Sequence, residues 1–182
     1  RGVQHGSLAG LSELKRETIP RFSQQLDEFA RGLIQTFEGA DASLEPNEAG
    51  LFTDNGSAFD PDNLTGLASR LQVNDKISST GDAEVWRIRD GLGAESPGAG
   101  SEMGQINAFL TALDDPMNAV KGTGIPSEVS LRDFSAEMIT SQAAERARAE
   151  NDFNAAASAA EVVMSARRNS EGVNIDDEMQ QL

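Results

Sequence analysis

Residues 131–168 contain neither glycine nor proline, and ten alanines fall between Ala143 and Ala166. Nothing in this stretch breaks the backbone, which predicts one helix of about 57 Å at a rise of about 1.5 Å per residue. Its large apolar groups are Leu131, Phe134, Met138, Ile139, Phe153, Val162 and Val163. Helices in proteins draw most of their stability from packing such groups against a partner, so a second long helix is required. A strict coiled coil is not expected, because Glu145, Arg148 and Asp152 fall on the seam through Phe134, Met138 and Ala155.

The partner is predicted near the start of the chain. Leu8, Leu11, Leu14, Ile19, Phe22, Leu26, Phe29, Leu33 and Phe37 recur mostly at three and four residues, the period of an amphipathic helix, at most about 48 Å long. Pro20 removes a backbone donor and is expected to kink this helix near Glu17 to Ile19; a stripe that stays on one face argues against a separate helix. Gly39, followed by Ala40-Asp41-Ala42, is a stop signal.

The middle of the chain changes character. Asn55-Gly56 between Leu51-Phe52 and Ala58-Phe59 predicts a hairpin. Residues 68–73 and 85–89 read as short strands or helical pieces, 95–101 as a loop with Pro97, Gly98 and Gly100, and 102–113 as a short helix ended by Asp115-Pro116. Ser127, after a glycine-rich stretch, opens the long helical pattern.

The fold expected is mainly α: an elongated antiparallel helical stem of two long helices plus a short helix, with a small α+β lobe inserted between them. The stem takes residues 1–40 and 120–182 and the lobe 41–119. Stem packing is assigned to Leu11, Phe22, Leu26, Phe29, Leu33, Leu131, Phe134, Met138 and Val162. Composition fits: Leu, Ile, Val and Phe make up 39 of 182 residues, a thin supply of core that suits a slender bundle better than a globule. The chain starts without Met and stops within a predicted helix, as expected of a fragment.

Thirty acidic against fifteen basic residues give a net charge of −15, which repels a phosphate backbone and argues against nucleic acid. No run approaches the roughly 20 apolar residues of a membrane span. Without cysteine there is no disulfide framework and no thiolate metal site.

No catalytic, cofactor-binding or metal residues are predicted. The one histidine, His5, lies beside Gly6 near the start, and spacing assembles no triad around it. Asp60-Pro61-Asp62 fails as a calcium loop: Leu64 takes the fifth position, Thr65 the sixth, where glycine is required, and Leu71 the twelfth. Gly91-Leu92-Gly93 and Gly122-Thr123-Gly124 lack the third glycine of a dinucleotide fingerprint. Asp176-Asp177-Glu178 reads as first-turn charge on a helix capped by Asn174. Trp86 with Arg87 and Arg89 is the one combination that suggests an anionic or sugar ligand, and core or lobe packing is the better explanation of it.

Three segments carry a resemblance. Gly6-Ser7-Leu8-Ala9-Gly10-Leu11-Ser12-Glu13-Leu14-Lys15-Arg16-Glu17, with Ile19-Pro20 and Gln25-Leu26-Asp27-Glu28-Phe29-Ala30, resembles the G-x-L-x-G-L-x-E-x-R-D helix of the flagellar hook-associated protein 1 family. Gly50-Leu51-Phe52-Thr53-Asp54, Leu67-Ala68-Ser69-Arg70-Leu71-Gln72-Val73-Asn74 and Trp86-Arg87-Ile88-Arg89-Asp90-Gly91 resemble that family's middle region. Gly172-Val173-Asn174-Ile175-Asp176-Asp177-Glu178-Met179 is similar to the S-G-V-N-L-D-E-E-M opening of the C-terminal helix shared by flagellar axial proteins, with Glu171 in place of serine. Gly172, Val173, Asn174, Asp176, Glu178 and Met179 are its matching positions.

The resemblance implies a non-enzymatic structural component that joins hook to filament by self-assembly into a ring. It implies as partners copies of the chain itself, the hook protein, a neighbouring hook-associated protein and an export chaperone, and no cofactor. It also implies an extracellular location reached through the flagellar type III apparatus. The alternatives are another axial protein, such as hook-associated protein 3 or a flagellin-like chain, and a ligand-binding helical domain.

Overall fold

The computed structural model describes residues 6–78, 83–119 and 123–171. The protein is mainly helical, with small two-stranded sheets and one long C-terminal helix. In order, the elements are α1 (Ser7–Glu13), a π-helical turn (Leu14–Thr18), α2 (Ile19–Ala40), β1 (Phe52–Asp54), a 3-10 turn (Pro61–Asn63), α3 (Leu67–Arg70), β2 (Leu71–Val73), α4 (Asp75–Ser78), α5 (Arg87–Asp90), α6 (Gly104–Ala112), β3 (Pro116–Asn118), β4 (Glu128–Ser130) and α7 (Leu131–Glu171). Contacts divide the chain into two units, Arg1–Ile139 and Thr140–Leu182.

In the first unit α2 is the spine. Ala30 and Ile34 form one buried cluster with Leu67, against which Phe52, Phe59, Leu64, Ala68 and Leu71 pack. Phe29 belongs to the other, made of Ala119, Ile125, Val129 and Phe134 with Met117 and Met138. Phe37 bridges to the lobe, its ring 5.0 Å from both Phe52 and Phe109. Gly32 lets β3 and the start of α7 approach: a Cβ there would meet Met117 Sδ at 2.6 Å and Leu131 Cδ1 at 3.0 Å.

Helix α1 runs into α2 without leaving the right-handed region, since Glu13, Leu14, Thr18 and Ile19 all have αR backbones. Pro20 sits in the first turn of α2, where its missing N–H falls just after the π turn. The apolar stripe has one irregular step, the five residues from Leu14 to Ile19, and the π turn spans it. A turn closed by i→i+5 bonds brings residues five apart onto one face, so the insertion keeps the stripe in phase.

The Asn55-Gly56 turn forms, with φ of 51° and 87°, the left-handed pair of a type I′ turn. Asp54 and Ser57 exchange backbone bonds of 2.9 and 3.0 Å. The expected strand after it does not: beyond Ser57 the chain turns inward so that Phe59 and Leu64 pack against Leu67, and Pro61 has no N–H to offer a ladder. β1 pairs instead with β2, antiparallel, in the register Phe52↔Val73, Thr53↔Gln72, Asp54↔Leu71. Residues 85–89 hold no strand; Arg87–Asp90 is a single helical turn.

The long helix starts later than Ser127. Residues 128–130 pair with β3 in the register Pro116↔Ser130, Met117↔Val129, Asn118↔Glu128. Ser130 then caps α7, its hydroxyl accepting the Asp133 N–H at 3.1 Å and donating to the Asp133 carboxylate at 2.8 Å, the N-cap half of a capping box. The second unit is α7 from Thr140 onward, where every side chain with a described burial is exposed except the half-buried Ser141 and Glu145.

Phe134 is fully buried, with its ring centroid 5.7 Å from that of Phe29. Phe134→Ala is expected to lower stability by about 3–5 kcal/mol, and Leu26→Ala, at a half-buried position, by less. Urea denaturation of the two variants checks the order.

Candidate functional site

Two features are built on the helical spine: a set of polar ties that fix the lobe, and an apolar stripe whose first half is left exposed.

The ties begin with Asp27, buried on α2, whose carboxylate accepts the Gly66 N–H at 2.8 Å and the Ala68 N–H at 2.9 Å. It thereby satisfies free amides at the start of α3, as a capping side chain does. Asp41, just past the end of α2 and also buried, accepts the N–H and hydroxyl of Ser43 at 3.0 and 2.6 Å and the Leu92 N–H at 2.7 Å. Gly91 has φ of 103°, and a Cβ on Gly93 would lie 2.1 Å from the Ser43 carbonyl oxygen. The glycines of Gly91-Leu92-Gly93 serve this close approach.

Asp54, buried, takes two bonds from Arg70, at 2.6 and 3.0 Å; Arg70 also donates to the Thr65 and Asn63 carbonyls. Asn74 donates to the Ala49 and Gly50 carbonyls at 3.2 and 2.8 Å and accepts the Lys76 N–H at 3.0 Å. Elsewhere on α2, Arg31 joins the buried Glu28 at 2.7 Å to the Asn118 carbonyl at 2.6 Å, and the Gln25 side-chain amide donates to the Thr123 carbonyl at 2.7 Å.

Trp86, Arg87 and Arg89 belong to the ties. The Arg87 guanidinium lies 4.6 Å from the centre of the Trp86 ring, pairs with Glu84 at 2.6 Å and donates to the Leu92 and Ala94 carbonyls. Arg89 grips Asp90 through bonds of 2.8 and 2.6 Å and reaches the Gly98 carbonyl. Among the described residues no three His, Cys, Asp or Glu side chains come together as a metal site, and no helix is long and apolar enough to cross a membrane.

The stripe is the other feature. Leu8, Leu11, Leu14, Ile19 and Phe22 are 68, 61, 44, 52 and 40% exposed. The same stripe farther along, at Leu26, Phe29 and Leu33, is half-buried. Lys15 and Arg16 stand among the exposed residues with Glu13 and Glu17, and Arg21 beyond them is half-buried. In the second unit Phe153, Val162, Val163 and Met164 are exposed as well.

Of the residues assigned to stem packing, Phe134 and Leu131 are buried and Leu26, Phe29, Leu33 and Met138 half-buried, whereas Leu11, Phe22 and Val162 face outward. His5 and the motif positions Gly172, Val173, Asn174, Asp176, Glu178 and Met179 lie outside the described residues. The ties at Asp27, Asp41 and Asn74 were not predicted. Asn74 had a local signal, a side chain two residues before a free amide, while the partners of Asp27 and Asp41 are too distant in sequence for any local pattern.

Comparison with protein-family models, with curated proteins and with solved structures finds no match.

Three carboxyls are displaced from their ordinary range. Burial raises the Glu38 carboxyl above its ordinary range, against bonds from the Phe59 and Gly50 backbones that lower it. Hydrogen bonding from Lys76 lowers Glu48, and hydrogen bonding from Arg89 lowers Asp90. A raised carboxyl favours the folded state only below its unfolded value, and that contribution is lost as pH rises through the folded one. The lowered pair contributes above its unfolded values and fails as pH falls through the folded ones. Glu38→Gln is therefore expected to raise the melting temperature at neutral pH, with the gain shrinking in acid. Melting curves of both chains across this range check the sign.

Proposed function

We propose that this chain is a structural subunit of the bacterial flagellar axis that joins hook to filament by self-assembly into a ring. The observation that carries the reading is the continuous apolar stripe from Leu8 to Phe37, kept in phase by a π turn and left uncovered in its first half. Complete burial of a Leu, Ile or Phe side chain is worth about 1.5–3 kcal/mol. With about half of each of the five side chains still exposed, association would recover on the order of 5 kcal/mol per subunit. The resemblance of residues 6–30, 50–91 and 172–179 to hook-associated protein 1 supports the same reading.

In this reading α1 and α2 form an elongated antiparallel stem with α7, and neighbouring copies, the hook protein and the next hook-associated protein meet the stem. The lobe, tied by Asp27, Asp41 and Asp54, holds the start of the stem in one shape. The role is mechanical and non-enzymatic, and export through the flagellar type III apparatus with a chaperone brings the chain to the cell exterior.

Deleting the gene in its host is expected to leave hooks without filaments and flagellin shed into the medium, scored by electron microscopy and by assay of the medium. Normal filaments would reject the role. Complementation with the chain carrying Leu11→Glu and Phe22→Glu, both at exposed positions, is expected to leave the purified protein folded yet fail to restore filaments.

A further inference from the structure

We propose that Asn55 is a site of spontaneous deamidation gated by the β1 turn: the folded turn holds the reaction closed and local opening releases it. Asn55-Gly56 is the only Asn-Gly pair in the sequence. Both residues are exposed, and the space where a Gly56 Cβ would stand is empty to 4 Å, so no side chain crowds the glycine.

The chemistry needs only water and base. The Gly56 nitrogen gives its proton to solvent base and attacks the Asn55 side-chain carbonyl carbon. The bond from that carbon to the amide nitrogen breaks, ammonia leaves, and a five-membered succinimide remains. Water then opens one of its two carbonyls, leaving aspartate or isoaspartate at position 55.

The turn opposes the first step. The Gly56 N–H donates to Thr53 Oγ1 at 3.0 Å, and Thr53 is fully buried. The Asn55 N–H donates to the Arg70 carbonyl at 2.9 Å, and Asp54 and Ser57 close the turn from both sides. Ring closure must swing the Gly56 nitrogen toward the Asn55 side chain, rotating the backbone out of its paired left-handed conformation and breaking these bonds. The reactive population is the locally opened one. The products also matter to the fold. Isoaspartate adds a backbone methylene at the residue whose N–H donates to the Arg70 carbonyl, next to the Asp54↔Leu71 end of the β1–β2 ladder. Aspartate adds a charge beside Asp54, which already occupies Arg70.

The test incubates the purified chain in mildly alkaline buffer, folded and in urea, and follows position 55 by peptide mass and by isoaspartate-specific methylation. The folded chain is expected to convert more slowly than the unfolded one. Thr53→Val, which removes the acceptor, is expected to speed the folded chain about five-fold, the weight of one net hydrogen bond. Equal rates folded and unfolded, no conversion at position 55 in either, or a folded Thr53→Val chain as slow as the parent would each overturn the proposal. If Thr53→Val does not fold, the comparison of folded with urea-unfolded parent decides alone.

Discussion

Asp27, Glu28 and Asp41 take three carboxylates out of water along one helix and its end, and the first unit depends on meeting that demand. A buried carboxylate without donors costs several kcal/mol, whereas each hydrogen bond to a charged group is worth about 1.5–3 kcal/mol. The donors to Asp27 come from 39 and 41 residues away, and the Leu92 amide reaches Asp41 from 51 away. Helix α2 therefore reaches its full stability only with the lobe in place, and the lobe, built of three- and four-residue elements, has little stability apart from the helix. Hydrophobic burial at Ile34 and Leu67 is the driving force, and the carboxylates select which lobe conformation receives it.

The π turn expresses a different constraint. Without it, the step of five from Leu14 to Ile19 would rotate everything before Leu14 by about one residue's angle, near 100°, away from the line of Leu26, Phe29 and Leu33. Inside this unit nothing would be lost by such a rotation, because Leu8, Leu11 and Leu14 are exposed. The distortion thus aligns side chains that have no neighbour to meet within this unit, which is the arrangement the proposed self-assembly calls for. Pro20 makes the distortion local, since a helix that already lacks one donor there accommodates a wider turn more cheaply.

The long elements were legible because periodicity and the absence of breakers act over many residues: the α2 stripe, its stop near Gly39 and the run without Gly or Pro after Leu131 all correspond to observed helices. Short elements were legible only where a turn residue has one conformational solution, as at Asn55-Gly56. The partner of β1 was not, because Asn55-Gly56 fixes the turn but not whether residues 58–59 continue the ladder; the burial of Phe59 and Leu64 decided that from outside the segment. The Ser127 start failed for a related reason. Ser130-Leu131-Arg132-Asp133 is an equally good cap, and pairing of 128–130 with β3 excludes the earlier one. The apolar stripe was fully visible, but which half of it is covered depends on where Phe134 and Met117 lie, which no local pattern encodes.

The second unit has exposed apolar groups of its own. Its helix is rich in alanine and polar residues, and its apolar groups Phe153, Val162, Val163 and Met164 contribute no burial while exposed. Local pairs add little: Arg146 and Glu150, four apart at 3.0 Å and both exposed, are worth about 0.3–0.5 kcal/mol. Helix propensity without packing leaves a segment of this kind marginal in water. Any partner that covers Phe153 and Met164 therefore adds burial energy to a helix whose ordering entropy is already largely met by alanine, the residue that loses least on becoming helical. Less of that energy is consumed in folding the segment, and more remains to hold the partner. An alanine-rich helix with a few large exposed groups is, on these terms, better suited to binding than to standing alone.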